Sequence, residues 1–477
     1  AWVNNPLFGC CEKNKKKDGS NYSIYTDGLT IYTTINTKMQ QYAEEAVEEH
    51  LGDYLQENFF KEKKGRSKAP YTNQLTQAEV DQIIKRSVHQ SERYRVLKAD
   101  GLSESEIEKV FNTPHEMSVF TWKGEKDTIL SPLDSIKYYK HFLRTGFMSM
   151  DPINGHVKAY VGGPNYTYFQ YDMAMVGRRQ VGSTIKPYLY ALAMENGFTP
   201  CDQVRHVEQT LIDGNGKPWT PRTSTRKNEG EMVSLRWGLA NSSNWISAYL
   251  MSKLNPYALV RLIHNFGVLN QQIDPTVSLS LGPCEISVGE MTSAYTAFAN
   301  KGIRVEPLFV TRIEDNDGNV IARFTPEMDV VISASSAYKM LNMLQAVINE
   351  GTGGRVRRYG IKADVGGKTG TTNRNSDGWF IGFTPSLVSG CWVGGEERDI
   401  HFDTMFYGQG ASMALPIWTI YMKKVFGDET LGYSEEEKFT FPENFDPCSH
   451  NSYIESDSIQ IKPSTPTVNS GIDKLFD

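Results

Sequence analysis

The sequence predicts an α/β fold in which short antiparallel strands alternate with apolar helices. Three observations carry that expectation. Gly146 to Asn154 followed by His156 to Val161 reads as strand, turn, strand, with Asn154-Gly155 as the hairpin signal. Residues 361–394 read as a meander: 364–372, 378–383 and 387–393 are strands separated by polar turns. Apolar helical runs follow Gly182 and span 291–300. With 477 residues, two or three compact units are expected.

In chain order, residues 1–24 are polar and lysine-rich and read as a tail or linker. Residues 29–35 alternate and are β-branched, which predicts a strand. Asn36 or Thr37 can cap a helix whose apolar face runs from Met39 to Leu55 at helical spacing. Lys61 to Lys68 reads as a solvated loop. Thr76 with Glu79 forms a capping-box signal for a helix to about Leu97. Residues 98–140 show no clear order. A polar stretch runs from Cys201 to Glu231, followed by helical segments to Phe266. Residues 308–314 and 320–323, joined at Asn316-Asp-Gly318, predict a second hairpin. Helices are expected over 333–348 and 415–425. Residues 434–477, rich in Glu, Ser, Pro and Asn, read as irregular or disordered.

Composition excludes several classes. A net charge of −6 argues against a nucleic-acid binder. No apolar run is long enough to span a membrane, and the first residues lack the basic start and apolar core of a signal peptide. The chain reads as one cut from something longer. Cys10, Cys11, Cys201, Cys284, Cys391 and Cys448 have no zinc spacing and are expected to be scattered buried thiols. His115-Glu116 lacks the second histidine of a zinc protease helix, and Gly367-Lys-Thr369 lacks the earlier glycine of a phosphate-binding loop. No Gly-x-Ser-x-Gly is present.

Chemistry centres on Ser183 and Lys186, three residues apart at the start of a predicted helix that stops at Gly197. Such spacing puts both on one face and the amine beside the hydroxyl. A serine hydroxyl needs an adjacent base, and a buried lysine can be one. The spacing alone decides nothing, because about two such pairs arise by chance in a chain this long. Ser224 with Lys227, in a polar loop, and Ser336 with Lys339, inside a predicted helix, match it too. Lys368-Thr369-Gly370 reads as a glycine-opened strand edge able to pair with an extended peptide. There Lys368, Thr369 and Thr371 would hold an anionic peptide terminus. Ser242-x-Asn244 is either a helix cap or a proton-relaying hydroxyl with an amide that holds a substrate carbonyl.

Ser183-x-x-Lys186, Ser242-x-Asn244 and Lys368-Thr-Gly370, in that order, resemble the set shared by penicillin-binding proteins and serine β-lactamases. The wider context is similar to the transpeptidase region of class A penicillin-binding proteins. Met150 to Gly163 resembles that family's opening hairpin, and Arg179 to Pro187 its nucleophile segment. Ser280-Leu-Gly282, Glu285-Ile-Ser287 and Met291 to Asn300 resemble a helical landmark. Gly366 to Thr372 with Asp377 to Pro385 resembles the active-site strand and its return, and Tyr25 to Ile35 the connector after the glycosyltransferase domain.

The resemblance covers about residues 25–425. It implies a penicillin-binding transpeptidase fold: an antiparallel sheet flanked by helices plus a mostly helical lobe. The expected division is a tail (1–24), a connector subdomain (25–140) packed beside the catalytic domain, the transpeptidase domain (141–433) and an irregular tail (434–477). The glycosyltransferase domain and membrane anchor of class A proteins are not in this sequence, which reads as a processed or truncated chain.

The implied activity is D,D-transpeptidation in peptidoglycan synthesis. Ser183 attacks the D-Ala-D-Ala carbonyl of a stem peptide, and a second stem peptide's amine takes the acyl group. Lys186 is the implied base, helped to stay neutral by Lys368. Ser242 and Lys368 shuttle protons, and Asn244 positions the substrate amide. Thr369, Gly370 and Thr371 bind the substrate, and the N–H groups of Ser183 and Thr371 form the oxyanion hole. No metal or cofactor is implied. The implied partners are stem peptides, β-lactams and other cell-wall synthesis proteins, with no nucleic acid, and a membrane only through a segment missing from this chain. The implied location is extracytoplasmic. A D,D-carboxypeptidase, a β-lactamase-like hydrolase and a non-catalytic scaffold are the alternatives.

Overall fold

In the computed structural model, which describes residues 13–450, a five-stranded antiparallel sheet carries the molecule. Its strands are β1 (Arg144–Met150), β2 (Val157–Val161), β3 (Gly366–Thr371), β4 (Asp377–Phe383) and β5 (Val388–Gly394). Their order is β3-β4-β5-β1-β2. Both predicted hairpin and meander thus join one sheet. Asp151 closes the β1–β2 turn by accepting the N–H groups of Ile153 and Asn154. Gly155 supplies the positive φ there, and a side chain on it would strike the Glu306 carbonyl.

Strands β4 and β5 are buried along their whole length, because helices cover both faces. Alternation sorts the side chains. Trp379, Ile381 and Phe383 enter one core with α1 (Lys186–Glu195), α2 (Val288–Ala299) and α3 (Ala334–Asn349). Phe380, Cys391 and Val393 enter a second core with α4 (Leu415–Gly427). Shorter helices Leu235–Ala240, Asn244–Lys253 and Pro256–Asn265 build the helical lobe on the α1 side.

The N-terminal part packs on the second core through Met39, Ala43, Leu51, Leu55, Phe59, Tyr71 and Val80. Residues Thr30–Thr33 form a strand, paired across the chain with Val310–Glu314. The helix that begins at Thr37 does not stop at Leu55. It passes through a π-helical stretch, Glu48–Gln56, and continues to Lys63. The expected solvated loop at 61–68 is therefore corrected at its start: Lys63 is buried and pairs with Asp403 at 2.9 Å. The helix expected from Thr76 to Leu97 is two helices, because Ser91 turns extended and caps a second one, Glu92–Ala99. Residues 98–140 resolve into helix Glu104–Asn112, a hairpin of His115–Thr121 with Gly124–Leu130, and helix Pro132–Lys140.

Two expectations about the C-terminal end and the cysteines change. Residues 434–450 are irregular but packed: Phe439 contacts Phe383, and Phe441 and Phe445 stack on each other and lie tilted against Tyr338. Cys448 forms a disulfide with Cys201 across 247 residues. That pair is brought together only by tertiary folding, which residue spacing does not reveal. Cys284 and Cys391 are buried free thiols as expected, whereas Cys10, Cys11 and residues 451–477 lie outside the described part.

Candidate active site

Ser183 sits in a tight turn rather than in the α-helix itself. Residues Gly182–Ile185 form a 3-10 turn, and α1 follows with Pro187 in its first turn, where a missing N–H costs least. Gly182 adopts φ +52°, and a Cβ there would lie 2.8 Å from the Thr371 carbonyl. Only glycine lets the nucleophile turn approach β3 this closely. The turn is held from outside as well. Val181 and Gly182 N–H groups donate to the carbonyls of Cys284 (3.1 Å) and Gly282 (3.0 Å). Arg178–Gln180 pairs with Glu285–Ser287, and the Tyr295 hydroxyl donates to the Thr184 carbonyl at 2.8 Å. The segments 280–287 and 291–300 are thus the clamp on the serine turn.

Ser183 is half-buried, and among the described residues no group hydrogen-bonds its hydroxyl. No hydrogen bond joins the Lys186 amine to the Ser183 hydroxyl. The fully buried Lys186 amine instead meets the Ser242 carbonyl at 2.6 Å, Asn244 Oδ1 at 2.7 Å and Ser242 Oγ at 3.3 Å. The reason is local backbone geometry. Ser242 takes φ +54°, an uncommon conformation for serine, and this brings its carbonyl to the amine. The helix cap is the next residue: Ser243 Oγ accepts the Ile246 N–H, which leaves Ser242 free of that duty.

Lys368 approaches the same hydroxyl from β3. Its amine, also fully buried, lies 3.0 Å from Ser242 Oγ and 3.0 Å from the Thr369 carbonyl. Ser242 Oγ therefore bridges two lysine amines. Burial, and then the charge of Lys368, push Lys186 far below the ordinary lysine range. Burial lowers Lys368 to about 7. A neutral Lys186 can spend its two N–H bonds on the Ser242 carbonyl and Asn244 Oδ1, leaving its lone pair toward the Ser242 hydroxyl.

Strand β3 is an edge of the sheet. The Thr372 N–H donates inward to the Asp377 carbonyl, so antiparallel alternation turns the peptide groups of Thr371, Thr369 and Gly367 outward. The outward Thr371 lies against the Gly182–Ser183 turn. The Ser183 N–H is in a first helical turn, where amides have no acceptor one turn back. Gly370 is a close-approach position: a Cβ would lie 2.8 Å from Thr184 Cγ2 and 2.9 Å from the Val181 carbonyl. The Thr369 hydroxyl is paired with that of Thr352 at 2.8 Å, and Thr371 Oγ1 accepts the Gly410 N–H at 3.0 Å.

The structure thus joins Lys186, Ser242, Asn244 and Lys368 in one hydrogen-bonded cluster, with Ser183 and the edge of β3 alongside. The rival pairs fare differently. Ser336 and Lys339 are buried in α3, away from this cluster. Ser224, by contrast, donates to the Ser242 carbonyl at 2.7 Å, and the Arg222 carbonyl accepts from Asn244 Nδ2 at 2.8 Å. Sequence reasoning set this polar loop aside. Its seryl and threonyl run from Thr220 to Thr225 was the available signal, but nothing local tied it to Ser242.

Asp377 was missed too. It is fully buried and accepts from Arg179 Nε (2.8 Å), Trp392 Nε1 (3.1 Å) and Thr372 Oγ1 (2.8 Å), locking the end of β3 to the nucleophile segment. Among the described residues, no group of three His, Cys, Asp or Glu side chains could hold a metal ion. No described helix is long and apolar enough to cross a membrane.

Comparison with known proteins finds two family matches. Residues 145–389 match the family described as Penicillin binding protein transpeptidase domain, and residues 66–143 the Penicillin-binding protein middle domain. The chain is 31% identical to a Penicillin-binding protein 1A of Aquifex aeolicus, over 88% of this chain and 56% of that protein. It is 25% identical to one of Pseudomonas aeruginosa, over 85% of this chain and 58% of that protein. It therefore spans little more than half the length of these relatives.

Among solved structures, it is similar in fold to Penicillin-Binding Protein 1A from Haemophilus influenzae. The TM-score is 0.65 at 22% identity, over 91% of this chain and 72% of that one. It is also similar to the PonA1 protein from Mycobacterium tuberculosis in complex with penicillin V. There the TM-score is 0.59 at 22% identity, over 91% and 93% of the two chains.

Proposed function

The chain belongs to the penicillin-binding protein transpeptidase domain family, and on that premise we propose that it crosslinks peptidoglycan stem peptides as a serine D,D-transpeptidase. The observation that carries the reading is the convergence of two buried amines on Ser242 Oγ beside Ser183, at the free edge of β3. A stem peptide adds to that edge as an extended strand, its main chain pairing with the outward groups of Thr369 and Thr371. Ser183 Oγ attacks the carbonyl of the penultimate D-Ala and its proton passes to the neutral Lys186, which must first release the Ser242 hydroxyl and turn its lone pair to Ser183. The developing oxyanion is held by the N–H groups of Ser183 and Thr371.

The Lys186 ammonium so formed donates to Ser242 Oγ, and Ser242 passes its own proton to the leaving D-Ala amine, which returns Lys186 to neutral. The C–N bond breaks and an acyl-serine remains. The amine of a second stem peptide attacks this ester, forms the crosslink and releases Ser183. Both ends of the Asn244 amide are engaged, by Lys186 and by the Arg222 carbonyl. Its role here is to orient Lys186, and contact with substrate would require it to let go of one of them. Thr371, half-buried, is better placed than the Thr352-paired Thr369 to receive the substrate carboxylate.

Residues 25–140 act in this reading as a connector subdomain and 141–433 as the transpeptidase domain. The Cys201–Cys448 disulfide fits an oxidising, extracytoplasmic compartment. Stem peptides, β-lactams and other cell-wall synthesis proteins are the proposed partners. Intact-mass measurement after exposure to penicillin tests the reading. One adduct is expected on the native chain and none on Ser183→Ala. No adduct, or an adduct that survives Ser183→Ala, would overturn it.

A further inference from the structure

Two depressions flank the loop at residues 168–171. The one beside the nucleophile segment, about 490 Å³, is lined by Arg178 and Arg179 just upstream of Ser183, together with Arg144 and Glu396. Tyr168, Phe169, Gln170 and Tyr171 line this one and also the other, a larger chamber of about 900 Å³.

The chamber's chemistry is specific. Its rings include Trp122, Tyr160, Tyr168 and two tyrosines that stay open to solvent, Tyr166 (81% exposed) and Tyr171 (62%). The rings beneath them are fixed edge to face, Phe120 on Phe169 at 5.1 Å and on Trp122 at 5.5 Å. Trp122 lies on the π-helical stretch at Gly52, where a Cβ would come within 2.7 Å of the indole. The charges lining the chamber are Glu44, Glu48, Glu125 and Asp172, and among the described residues no lysine or arginine lines it.

Four carboxylates without a cation exclude phosphate- or carboxylate-bearing ligands, which like charge repels. Exposed ring faces beside carboxylate acceptors suit a neutral saccharide, whose C–H faces cover the rings while its hydroxyls donate to Glu44, Glu48 and Glu125; Asp172 is already held by the Tyr160 hydroxyl and the Ala174 and Met175 N–H groups. Geometry then separates a saccharide from a cationic peptide end. The reacting amine must reach Ser183, whereas an extended stem peptide spans about 3.3–3.6 Å per residue and so carries its saccharide end away from Ser183.

We propose that this chamber is a saccharide subsite that holds the glycan strand bearing the stem peptide while Ser183 acts on the peptide's far end. The proposal rests on the transpeptidase reading and adds the polymer that the enzyme grips.

The test uses the full chain and neutral oligomers of N-acetylglucosamine, with binding followed by calorimetry. Tyr166→Ala and Tyr171→Ala together should weaken binding at least about tenfold, the loss expected of two stacking rings. Both rings are exposed, so the fold should hold and the rate of penicillin labelling at Ser183 should stay unchanged. Absence of glycan binding by the native chain at millimolar glycan would overturn the proposal. So would equal binding by the double variant, or preference for a lysine-rich peptide over the glycan. Loss of penicillin labelling in the native chain would instead sink the transpeptidase reading, and the two failures are read separately.

Discussion

Replacing Lys368 by methionine should stabilise the folded chain near neutral pH while abolishing acylation of Ser183. The amine is fully buried and titrates at about 7, against an ordinary 10.5. Between those values the unfolded chain holds a proton that the folded chain lacks, so native stability rises with pH across this window. The resulting penalty is about 4 kcal/mol at pH 7 and about 2 kcal/mol at pH 9. Methionine removes it but also removes the hydrogen bonds to Ser242 Oγ and the Thr369 carbonyl, about 1 kcal/mol each.

The net gain is about 2 kcal/mol at pH 7, shrinking to roughly zero at pH 9. Relief of the repulsion that Lys368 exerts on Lys186 acts in the same direction. For a chain of this size, whose unfolding entropy is about 1 kcal/mol/K, the thermal midpoint at pH 7 should rise by about 2 °C. Thermal unfolding of both proteins at pH 7 and pH 9, followed by circular dichroism, measures the difference. An unchanged or lower midpoint at pH 7, or a gain that persists at pH 9, would refute the reasoning.

Three further outcomes are expected. Ser242→Ala, which removes the hydroxyl between the two amines, should slow penicillin acylation by about 10²–10⁴-fold with a native circular dichroism spectrum; a rate within threefold of native would remove Ser242 from the proton path. Ser224→Ala should cost about 1 kcal/mol in denaturant unfolding and slow acylation, whereas Ser224→Thr keeps both; equal acylation by Ser224→Ala would make the loop a bystander. Asp377→Ala leaves the Arg179 guanidinium without its buried partner and should cost about 3–5 kcal/mol. A loss under about 1 kcal/mol in urea unfolding would show that the cluster around Asp377 is not what locks β3 to the nucleophile segment.

The hairpin at 146–161, the meander at 364–393 and the apolar helix after Gly182 were legible because their signals are local. An Asn-Gly turn, alternation, and a glycine before an apolar run each act within a few residues. Residues 98–140 read as unordered although helix Glu104–Asn112 carries a local signal, the Ser103–Glu106 capping box ahead of Ile107 and Phe111; the helix is only nine residues long, and the hairpin His115–Leu130 is mixed in polarity. The break at Ser91 was missed for a related reason. The helical period continues through it, and only the extended backbone at that serine divides the two helices.

By itself the sequence determined which residue types stand ready for chemistry: Ser183 with Lys186, Ser242 with Asn244, and Lys368 with its glycines. It determined too that Gly370, with Gly366 and Gly367, leaves one side of a strand open to close approach, whereas the same duty of Gly182 emerged only in the fold. Only the tertiary structure decided who touches whom. It bonded Lys186 to Ser242 and Asn244, drew Ser224 out of a dismissed polar loop, and joined Cys201 to Cys448. The physical reason is that contacts between residues far apart in the chain depend on backbone directions summed over every intervening element. A single serine at positive φ redirects a carbonyl, and with it the base of the site.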